Sequence, residues 1–379
     1  MIVRIGFYYT KPKLNEGGLL MDIKITLSKN LKEKPKYGEE AFPLAKVSTD
    51  HMFVMDYSNE KGWYDARLIP FEALNVHPFA NSLHYGQLVF EGMKAYKDKF
   101  GNALMFRPYE NANRLNISAK RLSMPEIDPK STVKAISKLV EIEKDWIPNI
   151  EGMSLYIRPF IMATEPTLNV VVSDSYQFII VLSPFGHFYG GLNPLHIVAE
   201  TSYIRAAKGG TGFAKCAGNY AGAYMIMNEA KKLGFDQVLW LDAEEHKYIE
   251  EVSTMNVFFR IGDTVITPAT SDSILSGITR KSVVEILKDW GMNVEERKLS
   301  IEEVAEEYKK GNVKEVFCTG TAAVITSIGK ITWNNQCMTF NDNKTGELTL
   351  KIYDELTGIQ LGNRPDTRGW TYKIGSENI

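Results

Sequence analysis

Short apolar runs alternate along this chain with longer segments in which apolar residues recur every three or four positions. Apolar runs bounded by polar residues predict strands, and the longer spacing predicts amphipathic helices. Strands are predicted at 51–56, 103–106, 154–163, 176–182, 237–241, 313–318 and 323–328. Helices are predicted at 129–146, 219–233 and 279–290, and a further helix opens at a capping box formed by Ser300 and Glu303.

Turn and linker residues divide these elements into two groups. The segment 183–194, SPFGHFYGGLNP, carries two prolines and three glycines, which is typical of a linker. We predict an N-terminal lead-in at 1–40, a small α/β domain at 41–185, a linker at 186–194 and a large domain at 195–379. The predicted fold class is α/β with α+β character, and a cleft between the domains is the expected ligand site.

Composition and net charge argue against some classes of binding partner. Hydrophobic residues make up 44% of the 379 residues and charged residues 24%, as in globular proteins. A formal net charge of -2 argues against partners held by bulk electrostatics, such as nucleic acid or a membrane surface. No apolar stretch approaches the roughly 20 residues that cross a bilayer. The N-terminus lacks the apolar core of a secretory signal, so a cytoplasmic location is expected.

The cysteines and histidines give no indication of a metal site or a disulfide framework. Cys216, Cys318 and Cys337 are far apart and form no CxxC pair, and the six histidines are scattered. We expect all three cysteines to be buried or otherwise inert thiols.

A glycine-rich segment is the first candidate for chemistry. Residues 204–224, IRAAKGGTGFAKCAGNYAGAY, lead from a strand into a helix and include Lys208 and Lys215. Glycines let the backbone approach a ligand closely, but they also form plain flexible loops. On composition alone the two lysines are equally eligible for a chemical role.

Other segments offer groups that bind anions. Residues 277–279 open a helix, where free backbone N–H groups suit a phosphate. The turn 318–323, CTGTAA, supplies further N–H donors or simply packs tightly. Arg107, between an aromatic residue and a proline, suits phosphate or carboxylate, or forms a surface ion pair. Glu250 and Glu251 follow a strand, where adjacent acids usually mark a solvated turn.

Seven segments come in a fixed order along the chain. They are SLHYGQLVFEGMKAY (82–96), FRPYENANRL (106–115), LYIRPF (155–160), GGTGFAKCAGNYAGAY (209–224), EEVSTMNVFF (250–259), ILSGITR (274–280) and GTAA (320–323). Together they resemble the branched-chain amino acid aminotransferases, which are fold-type IV enzymes that use pyridoxal 5'-phosphate (PLP). The resemblance runs from about residue 50 to about residue 331, and it implies a two-domain fold of the D-amino acid aminotransferase type, a PLP cofactor and a homodimer.

The resemblance implies roles at the cofactor. Lys215 matches the Schiff-base lysine, which attacks the cofactor aldehyde when neutral and later moves a proton. Tyr220 matches the tyrosine at the phenolic oxygen, and Glu251 matches the acid at the pyridine nitrogen. Lys208 does not match, and Glu250 is expected to be exposed. The remaining residues matched to the cofactor are Arg107, Ile278, Thr279 and Thr321 at the phosphate, Arg205 near it, and Thr254, Gly277 and Gly320.

The resemblance also implies the substrate site. Phe90, Tyr85 and Tyr156 match the walls of an apolar pocket, with Tyr85 acting across a dimer interface. Arg158 lies two residues after Tyr156, on the same face of a strand, and matches the arginine that receives the second carboxylate of glutamate. The turn formed by Thr321, Ala322 and Ala323 is expected to offer N–H groups to the α-carboxylate.

Two departures from the family affect these expectations. Ala323 and Thr326 stand where mammalian members carry a CxxC pair, so a thiol switch is not expected. Leu44 stands where some members place an aromatic residue, which leaves the fine substrate preference open.

The leading hypothesis is reversible transamination of L-leucine, L-isoleucine and L-valine with 2-oxoglutarate. A D-amino acid aminotransferase and an aminodeoxychorismate lyase are alternatives with the same fold and cofactor. A ligand-binding protein without enzymatic activity is an alternative from another class.

Overall fold

The computed structural model of this chain describes residues 21–35, 46–150, 152–186 and 192–375. Most of the predicted lead-in, Leu44, and residues 187–191 of the predicted linker lie outside the described residues. In the part of the chain that is described, no helix is long and apolar enough to cross a membrane. Within the same residues, no group of three or more acidic, histidine or cysteine side chains is placed to hold a metal ion.

Helices and strands alternate along the chain. The helices are α1 (Asn81–His84), α2 (Pro108–Arg121), α3 (Pro129–Ile142), α4 (Gly218–Ala221), α5 (Tyr224–Lys232), α6 (Ile278–Asp289), α7 (Ile301–Lys309) and α8 (Glu347–Gln360). The first nine strands are β1 (Lys24–Ile25), β2 (His51–Ser58), β3 (Gly62–Pro70), β4 (Leu88–Phe90), β5 (Met93–Lys97), β6 (Ala103–Phe106), β7 (Ser154–Ala163), β8 (Ser175–Phe185) and β9 (Leu195–Ala199). The others are β10 (Gln237–Leu241), β11 (Ile249–Val252), β12 (Asn256–Ile261), β13 (Thr264–Thr267), β14 (Asn293–Glu296), β15 (Val313–Gly320), β16 (Val324–Trp333), β17 (Gln336–Thr339) and β18 (Thr371–Lys373).

All the predicted strands are present. β6, β7 and β10 have the predicted bounds, and the other four begin or end a few residues away from them. The periodicity is informative here because each strand has apolar residues that the sheet buries, such as Phe53 in β2 and Leu155 in β7.

The predicted helices are present with changed bounds. The helix predicted at 129–146 ends at Ile142 and is followed by a 3₁₀ helix, Lys144–Trp146. The helix predicted at 219–233 is divided into α4 and α5 around Gly222. At the start of α7, Ser300 Oγ accepts a hydrogen bond from Glu303 N at 3.0 Å. The Glu303 carboxylate pairs with Arg297 instead of returning to Ser300, so only half of the predicted capping box forms.

The strands form two sheets. The first has the order β1-β3-β2-β8-β7-β5-β6-β18, with β4 added to β7, and is almost entirely antiparallel. The second has the order β11-β10-β9-β16-β15-β12-β13-β14, with β17 added to β16, and mixes parallel and antiparallel pairs. This arrangement confirms the predicted fold class.

Each sheet has its own hydrophobic core. In the first sheet, Phe53 and Phe178 pack with residues from α2 and α3, such as Leu115 and Ile136. The second sheet is covered by α7 and, in a separate cluster, by α6 and α8. The short strand β18 brings the end of the described chain back to β6 of the first sheet.

The segment around Lys215 joins the two halves of the molecule. Phe90 N donates a hydrogen bond to Lys215 O at 3.0 Å, and Ala217 N donates to Leu88 O at 3.0 Å. Ala214 and Cys216, on either side of Lys215, are buried in the core of the first sheet, whereas α5 packs against β10 of the second. Lys215 is therefore fixed at the boundary between the two sheets.

Candidate active site

Lys215 is held by its backbone on both sides. Its N–H donates to Ser118 Oγ of α2 at 2.8 Å, and its carbonyl accepts from Phe90. The Nζ atom lies 4.9 Å from the centroid of the Phe90 ring. The pKa of Lys215 is lowered to about 8, first by burial and then by the charge of Arg114, against the opposing charge of Glu91. Lys208, by contrast, is exposed.

A pocket of about 530 Å³ opens beside this lysine's segment. That volume includes space that is open to solvent. Arg205, Tyr220, Glu251 and Thr254 line it, as does Leu275 from the loop before α6. The structure thus brings together four predicted site residues from segments far apart in the sequence.

Tyr220 forms one wall of this pocket. Its ring lies 5.2 Å from the Phe90 ring, with an angle of 47° between the planes. Burial and the nearby charge of Glu251 raise the pKa of Tyr220. The phenol therefore stays neutral and can donate a hydrogen bond to an oxygen in the pocket.

Glu251 places a buried carboxyl group at the pocket. It is 3% exposed, and its Oε2 lies 3.3 Å from Arg205 Nε. Its Oε1 accepts a hydrogen bond from Leu275 N at 2.9 Å. Burial raises the pKa of Glu251, while Arg205 opposes that rise. Such a group can hold a proton on a nitrogen atom of a bound ring.

The expectation that Glu250 is exposed was wrong. Glu250 is 6% exposed and accepts a hydrogen bond from Ser273 Oγ. All four residues of β11 are buried, because the loop around Ser273 covers this edge of the sheet. Gly212 packs so closely on that loop that a Cβ would lie 2.5 Å from Ser273 O.

The start of α6 provides a second polar region. Gly277 is the N-cap residue, and a Cβ there would lie 2.0 Å from Asn256 Oδ1. Asn256 Nδ2 donates to Leu275 O at 2.9 Å, so the same amide positions the loop before the helix. Ile278 and Thr279 are buried in the first turn. The N–H groups of a first helical turn have no partner within the helix and can bind an anion.

Arg107 packs against α6 further along the helix than the predicted residues Ile278 and Thr279. Its Nη1 donates to Ser282 Oγ at 2.9 Å, and its Nη2 lies 3.2 Å from Glu285 Oε1. Arg107 is not among the residues that line the pocket.

Arg114 lies nearer to the chemistry, and the sequence reasoning did not select it. Its Nη1 donates to Ser276 O at 2.9 Å, directly before α6, and its charge lowers the pKa of Lys215. Glu91 binds Arg114 Nε and Nη2 at 2.7 and 2.9 Å. The available signal was the motif FRPYENANRL itself, in which Arg107 is the N-cap residue of α2 and Arg114 is a second arginine within the helix.

Phe90, Tyr156 and Arg158 form a second group. The Arg158 guanidinium lies 4.6 Å from the Phe90 ring centroid, and its Nη2 donates to Tyr156 Oη at 2.9 Å. The Tyr156 ring stacks on the Phe185 ring, with 5.3 Å between the ring centroids. A Cβ on Gly92 would lie 2.1 Å from Tyr156 Oη, so glycine makes room for that ring. Phe90 thus connects this group with Lys215 and Tyr220.

The turn after β15 contains Thr321, Ala322 and Ala323. Gly320 at its start packs on Met255, because a Cβ there would lie 3.5 Å from Met255 Cγ. Tyr85 does not join the site within this chain. Its hydroxyl donates to Leu168 O, its side chain is exposed, and it is not among the residues that line the pocket.

These groups fit the polar ends of PLP, the cofactor that the resemblance implies. A lysine with a lowered pKa suits the aldehyde, a buried carboxyl group suits the ring nitrogen, and a neutral phenol suits the phenolic oxygen. The start of α6 and the buried Arg114 offer donors for a phosphate.

Comparison with known proteins shows the family to which this chain belongs. A family model described as amino-transferase class IV matches residues 88–331. The branched-chain-amino-acid aminotransferase 2 of Bacillus subtilis (strain 168) is 49% identical over 355 residues, which cover 93% of this chain and 97% of that protein.

Two solved structures are similar over most of the chain. The branched-chain aminotransferase from Thermoproteus uzoniensis, solved with norvaline, has a TM-score of 0.72 and 28% identity, covering 86% of this chain and 99% of that one. The branched-chain amino acid aminotransferase from T.th., complexed with N-(5'-phosphopyridoxyl)-L-glutamate, has a TM-score of 0.69 and 27% identity, covering 84% and 98%.

Proposed function

Because this chain belongs to the class IV aminotransferases and, within them, to the branched-chain-amino-acid aminotransferases, we propose that it transfers the amino group of branched-chain amino acids. The proposed reaction is reversible and converts L-leucine, L-isoleucine or L-valine and 2-oxoglutarate into the 2-oxo acids and L-glutamate. The observation that carries the proposal is the grouping of Arg205, Tyr220 and Glu251 around one pocket. The Phe90 ring connects that pocket with Lys215, since it lies 5.2 Å from the Tyr220 ring and 4.9 Å from Lys215 Nζ.

We propose that these side chains hold PLP, which supplies an electron-withdrawing ring when it is bound. Glu251 holds the proton on the ring nitrogen, and Tyr220 donates to the phenolic oxygen. The first turn of α6, with Ile278 and Thr279, binds the phosphate. Arg114, which donates to Ser276 O just before that turn, supports the phosphate site.

Other predicted contacts carry less structural support. Arg205 contributes mainly by pairing with Glu251, since its Nε faces that carboxylate. Arg107 stays a prediction, because its guanidinium is already engaged with Ser282, Glu110 and Glu285. Thr254 and Thr321 lie on the two turns that meet near Met255.

Lys215 is proposed to carry the cofactor and then to move the proton. With a pKa of about 8, a useful fraction of the amine is neutral near neutral pH, and a neutral amine is both a nucleophile and a base. Once freed, Lys215 Nζ accepts the proton from the substrate Cα. The Phe90 ring, 4.9 Å from Nζ, places an apolar surface beside the amine.

We propose that the substrate lies among Phe90, Tyr156 and the turn after β15. A branched aliphatic side chain packs against the two rings, and the N–H groups of Ala322 and Ala323 bind the α-carboxylate. Among the described residues, Arg158 pairs with no carboxylate and its buried Nε has no hydrogen-bond partner, so its guanidinium can receive the second carboxylate of glutamate. The complex of the T.th. relative with a phosphopyridoxyl-glutamate supports this assignment.

The visible absorption spectrum of the purified protein tests the proposal. A yellow band that disappears on addition of L-leucine and returns with 2-oxoglutarate is the expected result. Lys215→Ala should abolish the response, and Lys208→Ala, at an exposed lysine of the same segment, is the matched control. A yellow protein that responds to D-leucine but not to L-leucine would indicate a D-amino acid aminotransferase. A protein that stays colourless with added PLP would refute the assignment.

We also propose a homodimer. An exposed apolar surface is formed by the end of α1 and the loop before β8, and Val170 at its centre is 83% exposed. Surfaces of this kind usually mark an interface. A second copy is the proposed occupant, because the resemblance places Tyr85 at the boundary between two subunits. The surface consists of Leu83, Tyr85, Leu168, Val170, Val171 and Val172.

Light scattering coupled to gel filtration tests the dimer. Val171→Asp should produce a monomer, because it places a charge within the apolar surface. Phe100→Asp is the control, since Phe100 is 78% exposed in a separate turn. A dimer that persists in the Val171 variant would contradict the proposal.

The predicted domain bounds and the cytoplasmic location stay predictions.

A further inference from the structure

Lys94 is a buried lysine behind the turn that follows β15. It lies in β5, is 6% exposed and stands directly opposite Tyr156 of β7. Its Nζ donates to Ala322 O at 3.1 Å and lies 5.1 Å from the centroid of the Phe185 ring. Within the described part of the chain, no carboxylate forms a salt bridge with it. A buried cation without an anion is costly, so this lysine is expected to serve a role other than stability.

The hydrogen bond to Ala322 O controls the direction of a neighbouring donor. The carbonyl of Ala322 and the N–H of Ala323 belong to one planar trans peptide and point in opposite directions. Lys94 holds the carbonyl on its own side, so the N–H of Ala323 faces away from Lys94. In the described residues, the N–H groups of Thr321, Ala322 and Ala323 have no hydrogen-bond partner.

The backbone of this turn is strained. Val324, the residue after the turn, has a φ of 57°, which is the left-handed region. A β-branched residue adopts that conformation only where the surroundings impose it. Thr326 Oγ1 donates to Ala323 O at 3.3 Å, and Lys94 supplies a side-chain bond to the preceding carbonyl. The lysine thus helps to hold the turn in its strained conformation.

We propose that Lys94 is a positioning residue for the substrate carboxylate: it fixes the peptide between Ala322 and Ala323 so that the Ala323 N–H faces the substrate, and its positive charge attracts the carboxylate through the turn. This inference rests on the proposed function, in which that turn binds the α-carboxylate. Lys94 itself does not touch the reacting atoms.

The charge of Lys94 makes the effect dependent on pH. Burial lowers the pKa of Lys94 to about 7. Lys94 lines a cavity that it shares with Tyr96 and Tyr353, and Tyr156 stands opposite it in the sheet. Among the residues that the structure describes, these three tyrosines are the titratable side chains that face it. Lys94 is an ammonium ion below about pH 7 and increasingly a neutral amine above it. Carboxylate affinity should therefore fall as the pH rises through about 7.

The test measures binding of 4-methylpentanoic acid to the PLP-loaded protein at two pH values. One is about one pH unit below the pKa of Lys94, and the other is about one and a half pH units above it. This acid is leucine without its amino group, so it binds but cannot react. Lys94→Met should weaken its binding about tenfold at the lower pH, the size of one charge-assisted hydrogen bond. Lys94→Arg should bind the acid as tightly as the unchanged protein at the lower pH. Because arginine stays charged, this variant should lose the fall in affinity that deprotonation of Lys94 causes. Lys99→Met, at an exposed lysine in the following turn, should behave as the unchanged protein.

Two further measurements separate positioning from a structural role. 4-Methylpentan-1-ol has the same alkyl chain without the carboxylate, and Lys94→Met should leave its binding unchanged. For L-leucine, the variant should raise KM about tenfold and change kcat little, because the reacting groups are untouched.

The outcomes distinguish this inference from the proposed function. If the unchanged protein fails to respond to L-leucine, the proposed function is wrong. If it responds but Lys94→Met binds the acid as tightly, or weakens the alcohol equally, Lys94 has no positioning role. Should Lys94→Met fail to fold, Lys94→Arg still decides, because an unaltered pH dependence in that variant would overturn the inference.

Discussion

Gly277→Ala should loosen the connection between Glu251 and the start of α6. A Cβ at residue 277 would lie 2.0 Å from Asn256 Oδ1 and 3.2 Å from Asn256 Cγ. The amide is not free to swing away, because its Nδ2 donates to Leu275 O at 2.9 Å and lies 3.4 Å from Glu251 Oε1. Alanine therefore forces either Asn256 or the backbone of the loop to move.

The magnitude follows from two terms. Overfilling a packed site costs about 1–3 kcal/mol, and the displaced amide loses a hydrogen bond worth about 1 kcal/mol. The free energy of unfolding should fall by about 2–4 kcal/mol. PLP affinity should fall as well, because Asn256 contacts Glu251 and Gly277 precedes the N–H groups of α6.

Urea unfolding of the PLP-free protein, followed by tryptophan fluorescence, measures the first effect, and a PLP titration by visible absorption measures the second. Gly222→Ala is the matched control. Gly222 has helical φ and ψ of -61° and -23°, and no heavy atom lies within 4 Å of an added Cβ. That variant should be unchanged or more stable by about 0.4–1 kcal/mol. If Gly277→Ala unfolds at the same urea concentration as the unchanged protein and binds PLP as tightly, Gly277 does not connect Glu251 with the start of α6.

Three further predictions follow from buried and exposed groups. Glu91→Gln breaks the buried ion pair with Arg114 and should lower the free energy of unfolding by about 3–5 kcal/mol, read from urea denaturation. Since the pKa of Lys215 is lowered to about 8, the stopped-flow rate of PLP capture should rise with pH and level off above about 8; a rate independent of pH would contradict this. A thiol reagent should label Cys337 in the native protein and reach the two buried cysteines only in denaturant, as counted by mass spectrometry.

The structure confirms burial for two of the three cysteines and leaves Cys337 exposed. Cys216 and Cys318 are buried, and burial raises the pKa of the Cys318 thiol to about 12. Cys337 is exposed in β17, because that short strand forms an edge of the second sheet and is covered on only one side.

Local patterns predicted the secondary structure well because strands and helices depend on spacing between near neighbours. The bounds of β6, β7 and β10 agree with the apolar runs that define them. The division of the helix predicted at 219–233 was not visible in the pattern, because the apolar residues on either side of Gly222 keep the same spacing.

The matched motifs selected residues that the fold places close together. Arg205, Tyr220 and Glu251 line one pocket, and the charge of Glu251 acts on the pKa of Lys215. Their roles at a cofactor stay predictions. Residue type and order within a motif are properties of the sequence itself, so they need no knowledge of the fold.

The sequence by itself determined which elements form and which residue types are available for chemistry, since both depend on local order along the chain. Only the tertiary structure decided that Glu250 is buried, that Arg114 rather than Arg107 acts on the pKa of Lys215, and that Lys94 reaches Ala322. The physical reason is that burial and electrostatic contact are set by residues distant in sequence. A loop that covers a strand edge, or a strand 228 residues away that supplies a lysine, leaves no trace in the local pattern.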